Sequence, residues 1–246
     1  MRLLLLQHLP HDTPPDAYAT ELAAQGVEIV SVRPEEGEAI PPLDGLDGIV
    51  ATGGPVSVYD EERNPWLREE KAAIAAAVRA GTPYWGVCLG AQLLAASLGA
   101  EVRAGPRPEI GVEEVSLLPA AGEDPVFAGC PSSFRSFEWH RDGFDLPAGA
   151  TPLAASSLYP NQGFSWGAAY GVQFHLEATV EAVRFWLSKP AYDEAEAKEL
   201  ADRARLLADV TEVAPDATGL ARALLARWLR LVEEGGFAPT PSTAGG

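Results

Sequence analysis

Tyr84-Trp85-Gly86-Val87-Cys88-Leu89-Gly90-Ala91-Gln92 is an apolar stretch that runs into a glycine-flanked cysteine. The pattern predicts a buried strand over 82–87, a tight turn with Cys88 at its apex, and a helix over 89–98 that Gly99 ends. A G-x-C-x-G turn holds a thiol as the G-x-S-x-G elbow holds a serine. Its glycines carry no Cβ where strand and helix approach, so the residue between them can be kept strained and exposed. The N–H groups and dipole of the following helix point at the sulfur and favour the thiolate, the reactive form. The alternative, a small hydrophobe in a core, is the common state of a free cysteine. The turn chemistry argues for the nucleophile.

Outward from the elbow, strands and helices alternate. Strands are predicted over 3–7, 27–32 and 48–51, and helices over 14–25 and 66–80. This βαβ rhythm predicts an α/β fold, an open, mostly parallel sheet with helices on both faces, whose ligands sit at the carboxyl ends of the strands. From 101 to 172 the pattern changes to short antiparallel strands, expected over 109–118, 133–139, 151–156 and 163–170. A buried strand returns over 171–177, followed by a helix over 178–187. Two further C-terminal helices, near 192–209 and 216–234, are expected to part at Pro215, and 237–246 to form a disordered tail. The expected division is a catalytic domain over 1–187, a helical extension over 188–236 packed on it, and the tail.

Composition narrows the function classes. The 246 residues, 47% of them hydrophobic, can bury a sizeable core. Lys and Arg number 18 against 35 Asp and Glu, a formal charge of −17. That balance opposes binding to nucleic acid or to an anionic membrane surface. Cys88 and Cys130 make no disulfide framework, and a reactive thiol suits a reducing cytoplasm. The apolar run Leu3–Leu6 is too short for a signal peptide or a membrane span. Cys130, between Gly129 and Pro131, is read as incidental, and Trp66, Trp85, Trp166, Trp186 and Trp228 as core or interface.

The return strand supplies a second constellation. Residues two apart share a face of a strand, so Gln173, His175 and Glu177 point one way, and Val172, Phe174 and Leu176 point into apolar packing. An imidazole with a carboxylate beside it can deprotonate a thiol and be held as the imidazolium. Thr52-Gly53-Gly54-Pro55 adds unobstructed backbone N–H groups at another strand end. One of these, with the N–H of Leu89, can form an oxyanion hole. No G-x-x-x-x-G-K-[ST] or G-x-G-x-x-G pattern supports a phosphate loop. His8, His11 and Asp12 suggest a metal only weakly, because H-x-x-H on a loop lacks a convincing third ligand; no metal and no cofactor are expected.

These residues carry a family resemblance. Thr52-Gly53-Gly54-Pro55 with Ser57-Val58-Tyr59-Asp60, the elbow 86–92, and Gln173-Phe174-His175-Leu176-Glu177 resemble the three signature motifs of class I glutamine amidotransferases. They are most similar to the free-standing group related to the amidotransferase domain of GMP synthase. Glu109-Ile110-Gly111, Trp139-His140-Arg141-Asp142 and Asn161-Gln162 resemble that group as well. The likeness spans about residues 3–187 and implies the flavodoxin-like architecture of that family. It implies Cys88 as nucleophile, His175 as base and Glu177 as its orienter, with oxyanion N–H groups from Gly54 and Leu89. Gly53, Gln92, His140 and the backbone around Arg141 and Asp142 would hold the amino-acid end of the substrate. The implied reaction hydrolyses a γ-glutamyl amide through a thioester and releases ammonia.

Two departures stand out. Leu176 occupies a place where many members have proline, and Val56 one where some have a small residue. No Ser-Gly-Gly-x-Asp-Ser-like loop is present, and the stretch after Leu187 is too short for a synthetase domain, so an ammonia-consuming step would need a partner chain. Three readings remain open. The first is a glutaminase-type amidotransferase acting alone or with a separate synthetase chain. The second is a stand-alone hydrolase of γ-glutamyl peptides or γ-glutamylated amines, and the third a non-catalytic binding or regulatory relative. An elbow cysteine would also suit the related intracellular peptidase and chaperone group, which leaves the Gly-Gly-Pro loop and the pairing of His175 with Glu177 unexplained. An oligomer is compatible with all of these.

Overall fold

A computed structural model describes residues 1–189 and 202–237 of the chain. Strands β1 (Arg2–Leu6), β2 (Glu28–Val32), β3 (Gly48–Ala51) and β4 (Tyr84–Val87) alternate with helices α1 (Ala17–Ala24), α2 (Trp66–Arg79) and α3 (Leu89–Ser97). Then come β5 (Val102–Leu117), β6 (Ser133–Phe144), β7 (Thr151–Ser156), β8 (Gly163–Trp166) and β9 (Ala169–Val172). Helices α4 (Val180–Leu187) and α5 (Arg203–Glu234) complete the described residues. The strands form one nine-stranded sheet in the order β2-β1-β3-β4-β9-β8-β7-β5-β6. From β2 to β9 neighbouring strands are parallel, and from β9 to β6 they are antiparallel. The site strands β3, β4 and β9 lie side by side within the parallel half.

Strand alternation explains why both faces are covered. Leu3, Val50, Trp85 and Val172 join Tyr18 and Leu22 of α1 and Leu224, Leu225 and Trp228 of α5 on one face. Leu4, Leu6, Ile49 and Tyr84 join Leu67 and Ile74 of α2 and Leu93 and Leu94 of α3 on the other. A smaller cluster sets Phe137 of β6 against Val183 and Leu187 of α4 and Val210 and Ala214 of α5. No helix among the described residues is long and apolar enough to cross a membrane.

Three sequence expectations change. The single strand expected over 163–170 is a hairpin, because the chain turns at Gly167 and the return strand begins at Ala169. The return strand ends at Val172, short of His175, which keeps only an isolated bridge to Phe137. The expected break at Pro215 does not occur, and α5 runs through it. Proline removes one helical N–H. Burial of Val210, Val213 and Ala214 before it and of Ala217, Ala221 and Leu224 after it holds both halves on one axis. The beginning of the helix expected near 192–209 and residues 238–246 of the expected tail lie outside the described residues.

Candidate active site

The elbow is built from close backbone contacts. Cys88 has φ 51° and ψ −105°, and it is the one non-glycine residue with positive φ among the described residues. Such a conformation costs on the order of 1–3 kcal/mol and persists only where its surroundings fix it. Here Cys88 N donates to Val172 O at 2.8 Å, and Cys88 O accepts from Gln92 N at 3.0 Å. A Cβ on Gly86 would lie 2.6 Å from the backbone of Gly90, and one on Gly90 would run into the Ala51 carbonyl. Both glycines are therefore required by strand β3 and helix α3 closing on β4. The N–H of Leu89, at the first position of α3, has no intrahelical acceptor.

His175 and Glu177 reach the sulfur from the end of β9. His175 N donates to Phe137 O at 2.9 Å, which fixes the irregular segment against β6. The alternation expected of a strand survives there, since Val172, Phe174 and Leu176 are buried in the apolar cluster. On the other side Gln173 Nε2 lies 3.5 Å from Cys88 Sγ. His175 Nδ1 is 2.7 Å from Glu177 Oε1, and Cys88 lies close enough to raise the pKa of the ring. With Nδ1 donating to the carboxylate, Nε2 is the nitrogen left for the sulfur. Burial disfavours the charged ring, but Glu177 and Cys88 outweigh it and hold His175 well above the ordinary histidine range. The structure thus sets Cys88, His175 and Glu177 around one cavity, with His175 hydrogen-bonded to Glu177.

Gly53 and Gly54 face this group. A Cβ on Gly53 would lie 3.2 Å from His175 Cε1 and 3.4 Å from Cys88 Cβ. A Cβ on Gly54 would lie 2.6 Å from His8 Cβ and 2.8 Å from Leu89 Cδ2, so Gly54 and Leu89 are neighbours. No local pattern in the sequence signals what braces this loop. His8 N donates to Thr52 Oγ1 at 2.9 Å, and His8 Nδ1 lies 3.0 Å from Thr52 O. Its Nε2 is paired with Glu70 of α2 at 2.9 Å, both side chains are fully buried, and Trp66 stacks on the ring. Burial lowers the His8 pKa, but Glu70 reverses this and the net shift is upward. His11 is exposed and pairs with Glu36, so the structure gives the two histidines separate acidic partners.

The residues expected at the amino-acid end form a wired block. Gln92 Nε2 donates to Asp142 O at 3.2 Å and to Gln173 Oε1 at 3.1 Å. The Asp142 carboxylate accepts from Ser57 Oγ at 2.5 Å and Tyr59 OH at 3.1 Å. His140 Nδ1 lies 3.1 Å from Asp142 O, and Nε2 lies 3.1 Å from Glu109 and 3.5 Å from Glu138. Both ring nitrogens of His140 are therefore engaged within the protein. Burial opposes its charge, but the two carboxylates push it up to about 9, while burial pushes Glu138 up to about 7. Glu138 has no mark in the sequence motifs, although it shares a strand face with His140 two residues on. Glu109, Glu138 and His140 are the one set of three metal-ligand types clustered among the described residues. Glu109 already accepts from Gln162 at 2.6 Å and Ser156 at 2.9 Å, so an ion there would displace an internal network.

A cavity of about 550 Å³ opens over this assembly. Gly53, Gly54, Cys88, Gln92, His140, Arg141, Asp142, His175 and Glu177 all line it. The arrangement offers a nucleophile, a proton carrier, an orienting carboxylate and backbone donors at one mouth, the parts that acyl transfer requires.

The family model for glutamine amidotransferase class-I matches residues 16–184. The glutamine amidotransferase-like protein YfeJ of Salmonella typhimurium is 38% identical over 172 residues, which cover 68% of this chain and 72% of that protein. A subunit of the glutamine-hydrolyzing GMP synthase of Sulfolobus acidocaldarius is 30% identical over 64% of this chain and 80% of its own length. The GMP synthase of Aeropyrum pernix is 35% identical, but the match spans only 25% of that longer protein. Among solved structures, a glutamine amidotransferase from Thermotoga maritima superposes with TM-score 0.83 at 32% identity, covering 93% of this chain and 97% of that one.

Proposed function

The chain belongs to the class I glutamine amidotransferase family, and on that premise we propose that it hydrolyses the side-chain amide of glutamine or of a related γ-glutamyl compound. The observation that carries the reading is the series Cys88–His175–Glu177 opening on the cavity beneath Gly53 and Gly54. In this mechanism the Cys88 thiolate attacks the γ-carbonyl carbon. The N–H groups of Gly54 and Leu89 receive the developing oxyanion. His175, held as imidazolium, gives its proton to the amide nitrogen, the C–N bond breaks, and ammonia or an amine leaves from a γ-glutamyl thioester. Water then attacks the thioester, His175 takes up its proton, and glutamate departs as the thiolate re-forms. A nucleophile that must stay reduced suits the cytoplasm.

The relative described as one subunit of a GMP synthase supports a role in which the ammonia passes to a separate synthetase chain. The cavity volume favours the second reading, a hydrolase of larger γ-glutamyl amides. The test is ammonia release from glutamine by the purified chain, with Cys88→Ala as control. We expect turnover that falls at least about 10⁴-fold in the variant. Equal activity in both proteins would sink the nucleophile.

A further inference from the structure

The space in front of Cys88 is larger than glutamine needs. Its volume of about 550 Å³ falls in the range of about 300–1,000 Å³ that encloses drug-sized ligands, and glutamine is one amino acid whose leaving group is ammonia. The cavity runs both along α1 and the first strands, past Leu5, Leu22 and Ile29, and past His175 toward α4. The polar block of Gln92, Arg141 and Asp142 accounts for the amino-acid end. Beyond His175, the ring that faces the departing nitrogen, the walls are apolar. Trp186 stands 5.5 Å from the His175 ring, and Phe185, next to it on α4, also lines the cavity. Pro14 and Pro15 line it as well, just ahead of α1. Both walls are tied to the reacting series: Ala17 N, at the start of α1, donates to Glu177 O at 2.9 Å, and Phe137 stacks beneath Trp186.

Phe185 and Trp186 are only half-buried, although each is a large apolar group. Phe185 belongs to none of the three apolar clusters of the described residues. Aromatic surface kept at the edge of a cavity gains free energy when a ligand displaces its water. Binding energy won there, remote from the reacting bond, is available to drive the chemistry. The Lys189 ammonium beside this wall is paired with Asp12 at 3.8 Å and lies 4.1 Å over the Phe185 ring.

We propose that Phe185, Trp186, Pro14 and Pro15 form a subsite for the amine portion of an N-substituted γ-glutamyl amide, and that this amine carries a flat, apolar substituent. The inference rests on the reading of Cys88 as a γ-glutamyl amide hydrolase and goes beyond it in naming the leaving group. No new covalent step is involved: the C–N bond that breaks is the substituted amide, and the amine leaves with the proton from His175.

The test compares glutamate release from γ-glutamyl-methylamide, γ-glutamyl-phenethylamide and γ-glutamyl-putrescine by the full chain, with Cys88→Ala as blank. Phenethylamine and methylamine are similar enough in basicity that a difference between them reports binding of the substituent. We expect kcat/KM for the phenethylamide to exceed that for the methylamide at least about tenfold, the scale of filling an apolar pocket. Phe185→Ala should cut that ratio to below about threefold. Equal values for the two amides in the wild type, a Phe185→Ala loss shared equally by both, or preference for the cationic putrescine derivative would each overturn the subsite and leave the hydrolase reading intact. If none of the three amides gives Cys88-dependent glutamate but glutamine does, the subsite falls alone; if glutamine fails as well, the hydrolase reading falls with it.

Discussion

In the proposed mechanism Glu177 acts on the scissile bond only through His175. Its Oε1 fixes which nitrogen of His175 faces the sulfur, and its charge helps hold the ring as imidazolium. Glu177→Gln keeps the shape and removes the charge. It should lower kcat by about 10²–10⁴ with little change in KM, as loss of the orienting acid does in the serine triad; unchanged kcat would discard the role. The buried block beside it makes a prediction of a different kind. Against the pull of burial, His140 is raised from 6.5 to about 9, with Glu109 on β5, Glu138 on β6 and Cys88 as the groups that raise it. A base raised in the folded state adds stability that is complete below about pH 6.5 and is lost as the pH climbs through about 9. Glu138, raised by burial from 4.5 to about 7, acts in the same sense, because the folded state binds the extra proton between those values. The melting temperature should therefore fall from pH 6 to pH 9, and Glu138→Gln should flatten that fall. A wild-type profile with no decline would refute the buried ion assignment.

At the scale of elements, the loop 52–55 depends on a helix distant in sequence. The pair of His8 and Glu70 connects the end of β1 to α2, and the His8 ring it holds also bonds the carbonyl of Thr52. Glu70→Ala would leave His8 without its buried partner and let the loop drift. Removing a single oxyanion donor costs about 10²–10³ in kcat. We expect kcat to fall by up to that range while KM moves little, and Glu70→Gln to recover part of the loss. A parallel loss of folding and of both constants would make the pair merely structural.

The elements themselves were legible where the pattern was local. Strand β3, strand β7 and the elbow fell at their expected residues because apolar runs bounded by glycine and proline leave little choice. The hairpin at Gly167 was hidden, since β8 and β9 are both buried and look like one apolar run. The helical continuity at Pro215 was hidden too, because tertiary burial on either side overrode a local signal for a break. His175 and Glu177 lie together as the period of two expects, although the strand expected to carry them ends earlier. Partners such as Glu70 and Glu138 have no signature in a single sequence; only the fold brings them to His8 and His140.

For the whole molecule, α5 decides how the parts cohere. It contributes Trp228 to the core under Trp85, 6.1 Å between rings, and pairs Arg222 with Glu21 of α1 at 2.9 Å. Trp228 is fully buried. Trp228→Ala should cost about 3–5 kcal/mol, the usual range for an aromatic deleted from a core. Denaturant unfolding should show that loss as one shifted transition, with fluorescence and circular dichroism coinciding. Separate transitions would mean that α5 folds apart from the sheet.

The contact between Trp85 and Trp228 also has a consequence in time. Trp85 lies three residues before Cys88, and its packing partner Trp228 is made only after most of the chain has been synthesised. Until then Trp85 has Tyr18 of α1 but lacks the ring of Trp228, and the contorted backbone at Cys88 lacks part of the packing that over-determines it. The packing behind the elbow is therefore completed late in synthesis, when His175 and Glu177 are already part of the chain.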